Sequence, residues 1–490
     1  MKTRKNTCRN YKTIILFLSL KPDKQYITHN NQVLCVQIKV VINNIKMKYL
    51  VLTLVISLLI SCKNEKSSDE EISNKKSTSG DFYMPAEYEK QDAVWLGWSN
   101  YPPYQKPFLD ITKALYPKVP IKVVVNNETS LSQLKDTLTS LDLDLAKFQF
   151  RIIPDNRYWM RDHGATYVIN GKGEKKVVDF GWTLYGNKEW LENYYEGNKD
   201  SVDVYYKRAL RKTGMVDSIM GAMDNLKSIE TDVNMEGGSI EVNGKGTLIQ
   251  SESVTFQRNP GKSKEYLESE LKRVLGVSNV IWLKSGLVED GFWWNKIYEN
   301  YYGWGVSGHT DEFVRFVNDS TILLAWVDES EKDLNPINKW NYERMSENLK
   351  ILENAKDQDG KPFKIIKFPL PDPIYLKTKV TETDNNSSTN FKDWTVRTDW
   401  GPNKNELKVG DSINWVAASS YLNYLVTNDL VLMSTYIEQG SSIEKEEQAK
   451  KIMKEVFPNR ELILLDVMTI NYNGGGIHCS TQQEPSVKNN

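Results

Sequence analysis

The sequence has few of the residues that crosslink a chain or bind transition metals. It contains four cysteines and four histidines in 490 residues, and none of them shows the ligand spacing of a zinc site. Its 63 basic side chains balance its 64 acidic ones, so the formal charge of −1 gives no overall electrostatic reason to bind nucleic acid. These absences disfavour a zinc hydrolase and a nucleic-acid-binding protein.

What the chain does contain is enough apolar surface for a large folded domain. Hydrophobic residues make up 40% of it and charged residues 26%, which excludes a disordered, collagen-like or coiled-coil protein. Short β-type segments alternate with helical patterns such as 264–275 and 443–456. The sequence therefore predicts an α/β protein.

The N-terminal part contains an export signal in an unusual place. Residues 47–62 read MKYLVLTLVISLLISC, an apolar run shorter than the roughly 20 residues that span a bilayer. The run ends in a cysteine, Cys62, and resembles the bacterial lipobox, in which such a cysteine is lipidated. We interpret 1–46 as a mis-called extension, 47–61 as a lipoprotein signal peptide and 62–82 as a flexible polar tether. The alternative is one long leader that uses the apolar patch at 14–20.

This interpretation predicts an exported lipoprotein that is anchored at the periplasmic or cell surface by its lipid alone. It also leaves Cys479 as the one free thiol of the mature chain, because 1–46 contains two of the other cysteines and Cys62 is modified. A single thiol cannot form an intramolecular disulfide, so an unpaired cysteine in an exported protein needs another explanation.

Four segments repeat one pattern: a polar patch, a short apolar strand, a turn at an asparagine and a second strand. The turns lie at Asn170, Asn243, Asn318 and Asn428, spaced by 73, 75 and 110 residues. A polar segment at 381–390 lengthens the last interval and is predicted to be an inserted loop. The strand at 94–99 and the segment 462–480 would together supply a fifth unit, giving a radial or stacked repeat architecture.

Residues with reactive or charged side chains precede these turns at similar distances. Because equivalent ends of repeated units point to the same axis in a closed ring, we expect these side chains to converge on one pocket. They are Asp162, Glu236, His309, Asp311 and Asn423.

A thiol near the C-terminus completes this set. Cys479 follows the glycines 474–476, which allow a close backbone approach to a ligand. A lone cysteine is commonly buried and inert, but without a disulfide partner and with histidines available we favour a nucleophile. Several carboxylates around a thiol suit a cationic substrate such as a planar guanidinium, which paired carboxylates bind through its fork of N–H donors. This combination predicts attack of the sulfur on a guanidinium carbon.

Five motifs resemble those of the agmatine deiminase and bacterial-type peptidylarginine deiminase family. In chain order they are MPAEYEKQDAVWLGWS (84–99), YWMRDHGATYVIN (158–170), MEGGSIEVNGKGTLIQSE (235–252), GHTDEFVRF (308–316) and GGGIHCSTQQEP (474–485). The resemblance implies a single catalytic domain at 83–487 with the pentein fold, a five-bladed α/β propeller around a central site.

The resemblance also implies a role for each matching residue. Cys479 would be the nucleophile, His309 the general acid and base, and Asp162 and Asp311 the groups that hold the guanidinium. Glu236 and Asn423 match family positions that contact substrate, and Trp159 would line the pocket unless it serves the core. The implied reaction hydrolyses a guanidino group to a ureido group with release of ammonia, through a covalent thiouronium on the cysteine, and requires no metal or organic cofactor.

The sequence leaves the substrate open. The motif wording is closer to agmatine deiminases, and no arginine lies between Arg161 and Arg208, where peptidylarginine deiminases of bacterial type read a peptide's carboxylate. Export, in contrast, suits an enzyme that acts on extracellular arginine groups, and insertions at 290–307 and 371–390 could reshape the pocket opening. The expected partner is a small guanidino cation or an arginine-containing peptide, and a non-catalytic surface lipoprotein that binds such cations is the alternative.

Overall fold

The computed structural model describes residues 82–487 except 155–156, 189–190, 193–194, 196 and 401–405, and for 209–211 it describes the backbone only. The predicted extension, signal peptide and lipidated Cys62 therefore lie outside the described residues, as does the tether up to residue 81. Among the described residues, none of the helices combines the length and apolarity that crossing a membrane requires.

The described residues form short strands separated by helices. The strands are β1 (Gln91–Gly97), β2 (Ile121–Val125), β3 (Phe148–Ile152), β4 (Thr166–Ile169), β5 (Lys175–Gly181), β6 (Lys227–Asn234), β7 (Glu241–Val242), β8 (Thr247–Ser251), β9 (Asn279–Leu283), β10 (Phe292–Tyr298), β11 (Tyr301–Val306), β12 (Val314–Phe316), β13 (Thr321–Trp326), β14 (Lys364–Pro369), β15 (Tyr375–Thr381), β16 (Val396–Arg397), β17 (Ser412–Val416), β18 (Leu425–Thr427), β19 (Leu430–Ser434), β20 (Glu461–Leu465) and β21 (Thr481–Pro485). The helices are α1 (Pro102–Leu115), α2 (Glu128–Ser140), α3 (Met160–His163), α4 (Lys199–Lys212), α5 (Val216–Met223), α6 (Glu252–Arg258), α7 (Lys264–Leu275), α8 (Pro336–Asn354), α9 (Ile443–Val456) and α10 (Met468–Asn471).

Four sheets share one topology, an antiparallel hairpin followed by a third strand parallel to the second. They are β4-β5-β6, β7-β8-β9, β12-β13-β14 and β18-β19-β20. In the fifth sheet, β21-β1-β2-β3, the C-terminal strand β21 pairs antiparallel with β1, so the two ends of the domain close one unit. The five-unit architecture and the α/β class predicted from the repeated hairpins are confirmed.

The four asparagines lie at the hairpin turns, as predicted. At the turn between β7 and β8, the Asn243 side-chain oxygen accepts hydrogen bonds from the backbone N–H groups of Lys245 and Thr247. Gly244 and Gly246 adopt positive φ values of 67° and 116° there, which a side chain would oppose. The turn chemistry thus fixes where each unit reverses direction.

Two predicted helices have the predicted bounds, α7 and α9. The Ser263 side chain caps the start of α7, and Gly276 ends it with a φ of 65°. One strand assignment is wrong. The segment at 462–480 does not form the fifth unit with 94–99, because its strand β20 runs parallel to β19 after the crossover helix α9, and β21 pairs with β1 instead.

The insertion at 290–307 supplies β10 and β11, and the insertion at 371–390 supplies β15, to a sixth sheet, β10-β11-β17-β15-β16. The strands β16 and β17 follow the second insertion, and the sheet lies outside the repeated units. The polar segment at 381–390 is the loop that follows β15, as predicted. Trp294 and Trp415 are buried beneath this sheet and their rings meet edge to face at 5.1 Å between centroids. An aromatic core thus stabilises an element that the repeats do not supply.

Candidate active site

One cavity contains the predicted nucleophile, Cys479. Its walls are largely aromatic, and Arg157, Asp162 and Cys479 are the charged or reactive side chains among the residues that line it. The aromatic residues are Tyr104, Trp159, Tyr185, Trp293 and Trp304. Trp159, predicted to contact substrate, therefore lies on the wall of this cavity.

Cys479 lies at the end of the glycine-rich segment that follows α10. A side chain at Gly475 would clash with the Trp159 ring at 2.8 Å, and one at Gly476 would clash with the Asn423 side chain at 2.5 Å. The glycines thus let the main chain approach the cavity wall closely enough to place Cys479 on it. Its side chain is only 4% exposed.

The Cys479 sulfur lies among acidic and amide groups. Sγ is 3.1 Å from the Asn423 Nδ2, 3.5 Å from the Asp311 Oδ2 and 3.9 Å from the Glu312 Oε1. Burial, followed by the charges of Asp311, Glu312 and Asp162, raises the pKa of the Cys479 thiol well above its usual value. The thiol is therefore protonated at neutral pH until a cation offsets those carboxylates.

His309 lies between two carboxylates. Its Nδ1 is 3.6 Å from Asp162 Oδ1 and its Nε2 is 3.3 Å from Glu236 Oε2. Burial alone would lower the pKa of His309, but Asp162, Glu236 and Asp311 outweigh it and raise that pKa to about 9. The imidazole is thus an acid that holds its proton at neutral pH.

Asp162 faces both the cavity and His309. Its Oδ2 accepts a hydrogen bond from the Tyr185 hydroxyl at 3.0 Å, and its Oδ1 accepts one from the Gly238 backbone N–H at 3.3 Å. Burial raises the pKa of Asp162 to about 7, with the His309 charge opposing it and Asp311 adding to it. Its carboxylate form therefore gains population as the pH rises through neutrality.

Gly238 explains how three of these groups meet. A Cβ at this position would lie 2.6 Å from His309 Nδ1, 2.8 Å from Asp162 Oδ1 and 3.0 Å from Asp311 Oδ2. Only a residue without a side chain leaves room for an imidazole and two carboxylates on this side of the site. This is the physical reason for glycine at this place in the MEGG motif.

Charged residues behind the site orient the catalytic candidates. The single N–H of Arg258 Nε is shared between the two carboxylate oxygens of Glu236, at 2.9 and 3.0 Å, and both side chains are almost fully buried. The Asp290 carboxylate accepts hydrogen bonds from the backbone N–H groups of Gly308 and His309, at 2.9 Å each. These contacts fix the turn that carries His309.

A second network supports Asp311 and the backbone around Cys479. His478 places Nδ1 2.8 Å from Asp311 Oδ2 and Nε2 2.8 Å from Glu87 Oε2. Glu87 also pairs with Arg161 at 2.8 Å, and the Arg161 backbone N–H donates to the Cys479 carbonyl oxygen at 3.1 Å. Asp311 and Cys479 are thereby held in one connected set of hydrogen bonds.

The structure brings the predicted site residues together. Asp162 and Cys479 line the cavity, with His309 and Asp311 directly behind them. Glu236 lies behind His309, and Asn423 contacts the thiol and accepts the His478 backbone N–H at 2.9 Å. These contacts give Glu236 and Asn423 the geometry of residues that position other groups.

Sequence analysis missed several participants. They are Glu87, Arg157, Tyr185, Asp290, Glu312 and His478. Glu87 and Glu312 belong to the motifs at 84–99 and 308–316, so the motif itself was the available signal. Tyr185 and Arg157 carried no signal, because only the fold shows that they face the cavity.

One group of potential metal ligands occurs in the described part of the chain: Asp311, Glu312 and Cys479 offer atoms within 4.8 Å of one another. The protein already contacts the two carboxylates, because His478 lies 2.8 Å from Asp311 and Asn423 Nδ2 donates to Glu312 Oε1 at 2.8 Å. Neither His309 nor Glu236 belongs to the group. The donor set therefore suits the thiol chemistry better than an ion.

Four hairpin sheets and a fifth sheet closed by the two ends of the domain direct a thiol, an imidazole and carboxylates to one cavity, which defines a pentein of the guanidino-group-modifying class. Within that class, the family model of the Porphyromonas-type peptidyl-arginine deiminase matches residues 83–485. The chain belongs to this family, and the predicted family and fold are confirmed.

Characterised relatives and solved structures agree with this assignment. Agmatine deiminases of Pseudomonas fluorescens and Pseudomonas aeruginosa are each 28% identical to the chain, over 419 and 418 residues respectively. In both cases the match covers 83% of this chain and 96% of the relative. The solved structure of the agmatine deiminase of Enterococcus faecalis shares 24% identity and the fold, with a TM-score of 0.62 over 84% of this chain and 98% of that one.

Proposed function

We propose that the chain is a hydrolase that deiminates a guanidino group to a ureido group and releases ammonia. The substrate is agmatine, which would yield N-carbamoylputrescine, or an arginine group, which would yield citrulline. The observation that carries the proposal is the distance of 3.5 Å between the Cys479 sulfur and an Asp311 carboxylate oxygen, beside a cavity that Asp162 also lines. This arrangement is unfavourable for a thiolate alone and favourable once a planar cation contacts both the sulfur and the carboxylate.

Binding begins with the charge of the substrate. The guanidinium donates N–H groups to Asp162 and Asp311, and its positive charge offsets the carboxylates that keep the Cys479 thiol protonated. The thiol then loses its proton to solvent and its sulfur forms a bond to the guanidinium carbon. The aromatic walls exclude water from the other faces of the cation.

The imidazole completes the reaction. His309 transfers its proton to the departing nitrogen as the C–N bond breaks, which gives ammonia and a covalent thiouronium on Cys479. The neutral imidazole then takes a proton from water, whose oxygen bonds to the same carbon as the C–S bond breaks. The second proton of that water passes from the oxygen to the departing sulfur, so the ureido product and the Cys479 thiol result and His309 is again protonated.

The direct test measures ammonia and ureido product with agmatine, free arginine and arginine-containing peptides as substrates. Release of both products in equal amounts supports the proposal. Saturable binding of these cations without turnover would contradict it and support a non-catalytic binding protein.

Replacing Glu236 with glutamine should move the alkaline limb of the pH–rate profile toward neutral pH. In the parent, kcat/KM should rise as Asp162 ionises near pH 7 and fall as His309 loses its proton near pH 9. Glu236 raises the pKa of His309, so without its charge the imidazole loses its proton at lower pH. NMR titration of the imidazole checks the shift.

The acid limb belongs to Asp162, and it should also move toward lower pH in this variant, because Glu236 is one of the charges that raise the pKa of Asp162. A pH–rate profile of the Glu236→Gln variant with its alkaline limb unchanged would contradict this role of Glu236. A lower rate with the same profile would instead indicate a structural defect.

We also propose that the chain is exported and anchored through a lipid on Cys62. The support is the apolar run at 47–61 followed by that cysteine and a polar stretch. In native cells, a fatty-acid label should enter the parent protein and not a Cys62→Ser variant, and the mature N-terminus should be Cys62. A mature protein that begins upstream of residue 47 would contradict the proposal.

A further inference from the structure

A second cavity adjoins the first. The two share Trp293 and Trp304, whose ring centroids lie 4.8 Å apart. The cavity is built by the sixth sheet and by the segment between β5 and β6, both of which lie outside the repeated sheets. It is therefore an addition to the catalytic unit, placed where a substrate leaves the guanidinium pocket.

The lining of the second cavity suits an apolar group. Besides the two shared tryptophans it contains Trp294, Trp400, Tyr195 and Tyr205. Aromatic walls of this kind gain stability when an aromatic or large aliphatic group covers them. The cation on this wall is Arg397, which already pairs with Asp399 at 2.9 Å. An acidic ligand would therefore gain little from binding to Arg397.

One polar side chain that lines the second cavity indicates that the ligand contains a peptide bond. Asn187 is 1% exposed, and within the described part of the chain neither its Nδ2 nor its Oδ1 has a hydrogen-bond partner. A buried amide without partners is costly, and its paired donor and acceptor match the C=O and N–H of a peptide bond. Agmatine has no peptide bond and so offers no C=O group to pair with the Asn187 amide.

On the basis of the proposed function, we infer that the second cavity binds the residue next to the arginine of a peptide substrate, with preference for an aromatic or large aliphatic side chain. The arginine side chain enters the first cavity, and the neighbouring side chain passes the Trp293–Trp304 pair into the second. Asn187 then hydrogen-bonds the peptide backbone. Free agmatine would occupy the first cavity alone.

The test compares kcat/KM for blocked dipeptides in both orders, acetyl-Phe-Arg-amide against acetyl-Gly-Arg-amide and acetyl-Arg-Phe-amide against acetyl-Arg-Gly-amide. We expect the phenylalanine peptide to be preferred about tenfold or more in one order. The preference should fall below about threefold in a Trp400→Ala variant, while turnover of free arginine or agmatine stays at the parent level. Equal kcat/KM for phenylalanine and glycine in both orders would overturn the inference.

Turnover of free arginine and agmatine distinguishes failure of this inference from failure of the proposed function. If free arginine or agmatine is turned over but the phenylalanine preference is absent, only the second cavity loses its role. If no guanidine is turned over, the proposed function itself fails. Should Trp400→Ala lose turnover of the small guanidines as well, Tyr205→Ala carries the test, because the Tyr205 side chain is 42% exposed and contributes less to the core.

Discussion

Replacing Cys479 with serine should reduce kcat by at least about 10⁴-fold, because the covalent step loses its nucleophile. A hydroxyl at this position is harder to ionise than a thiol, and the neighbouring Asp311 and Glu312 would disfavour an alkoxide even more. Binding of the guanidine should change little, since Asp162 and Asp311 remain. Ammonia release gives kcat, and calorimetry of the variant gives the dissociation constant.

The matched control for this variant is Cys62→Ser, which removes the other cysteine of the predicted mature chain and should leave turnover at the parent level. Turnover by Cys479→Ser within tenfold of the parent would eliminate the covalent thiol mechanism. Loss of both turnover and binding would show that the variant had disturbed the site, and Cys479→Ala would then replace it.

Replacing Asp311 with asparagine should have two opposite effects. Turnover of guanidines should fall about 10³-fold in kcat/KM, equivalent to roughly 4 kcal/mol, because the cation loses one of the carboxylates that hold it. The thiol itself should become easier to ionise, because Asp311 is the strongest of the charges that raise the pKa of Cys479. The rate of thiol alkylation by iodoacetamide, followed against pH, measures that pKa directly.

The two readouts distinguish an electrostatic role from a structural one. A variant that is merely misfolded would lose turnover and expose its thiol to alkylation at every pH, without a shifted midpoint. A midpoint unchanged from the parent would contradict the assigned charge effect. Asp290→Asn is the comparison variant, because Asp290 accepts hydrogen bonds from the backbone at Gly308 and His309. The raised pKa of the Cys479 thiol comes chiefly from burial and from the charges of Asp311, Glu312 and Asp162, so it should change less in this variant.

Local pattern was sufficient for most of the framework. The turns at Asn243 and Asn318 and the helix α7 were predictable because capping, turn chemistry and hydrophobic period act over a few residues. The strand β20 was assigned to the wrong unit because a short apolar strand carries no label for its partner. Only the crossover through α9 and the pairing of β21 with β1 decide that question.

The candidate site also has residues that the sequence could predict and contacts that it could not. Cys479, His309 and the carboxylates were recognisable because few residue types can attack a carbon or hold a guanidinium, and their positions before the turns indicated one axis. Glu87 lies in one of the recognised motifs, but its contact with His478 at 2.8 Å was not predictable, because the two residues are 391 positions apart.

The sequence by itself determined the repeated unit, the reactive side chains and the class of substrate, since these depend on short-range pattern and on the chemistry of individual residues. Tertiary structure alone decided which groups shift the pKa values of Cys479 and His309, because burial and charge act through space over a few ångströms. It also decided that the sixth sheet and the segment between β5 and β6 build a second aromatic cavity beside the first, since a cavity is the space left between elements that are distant in the chain.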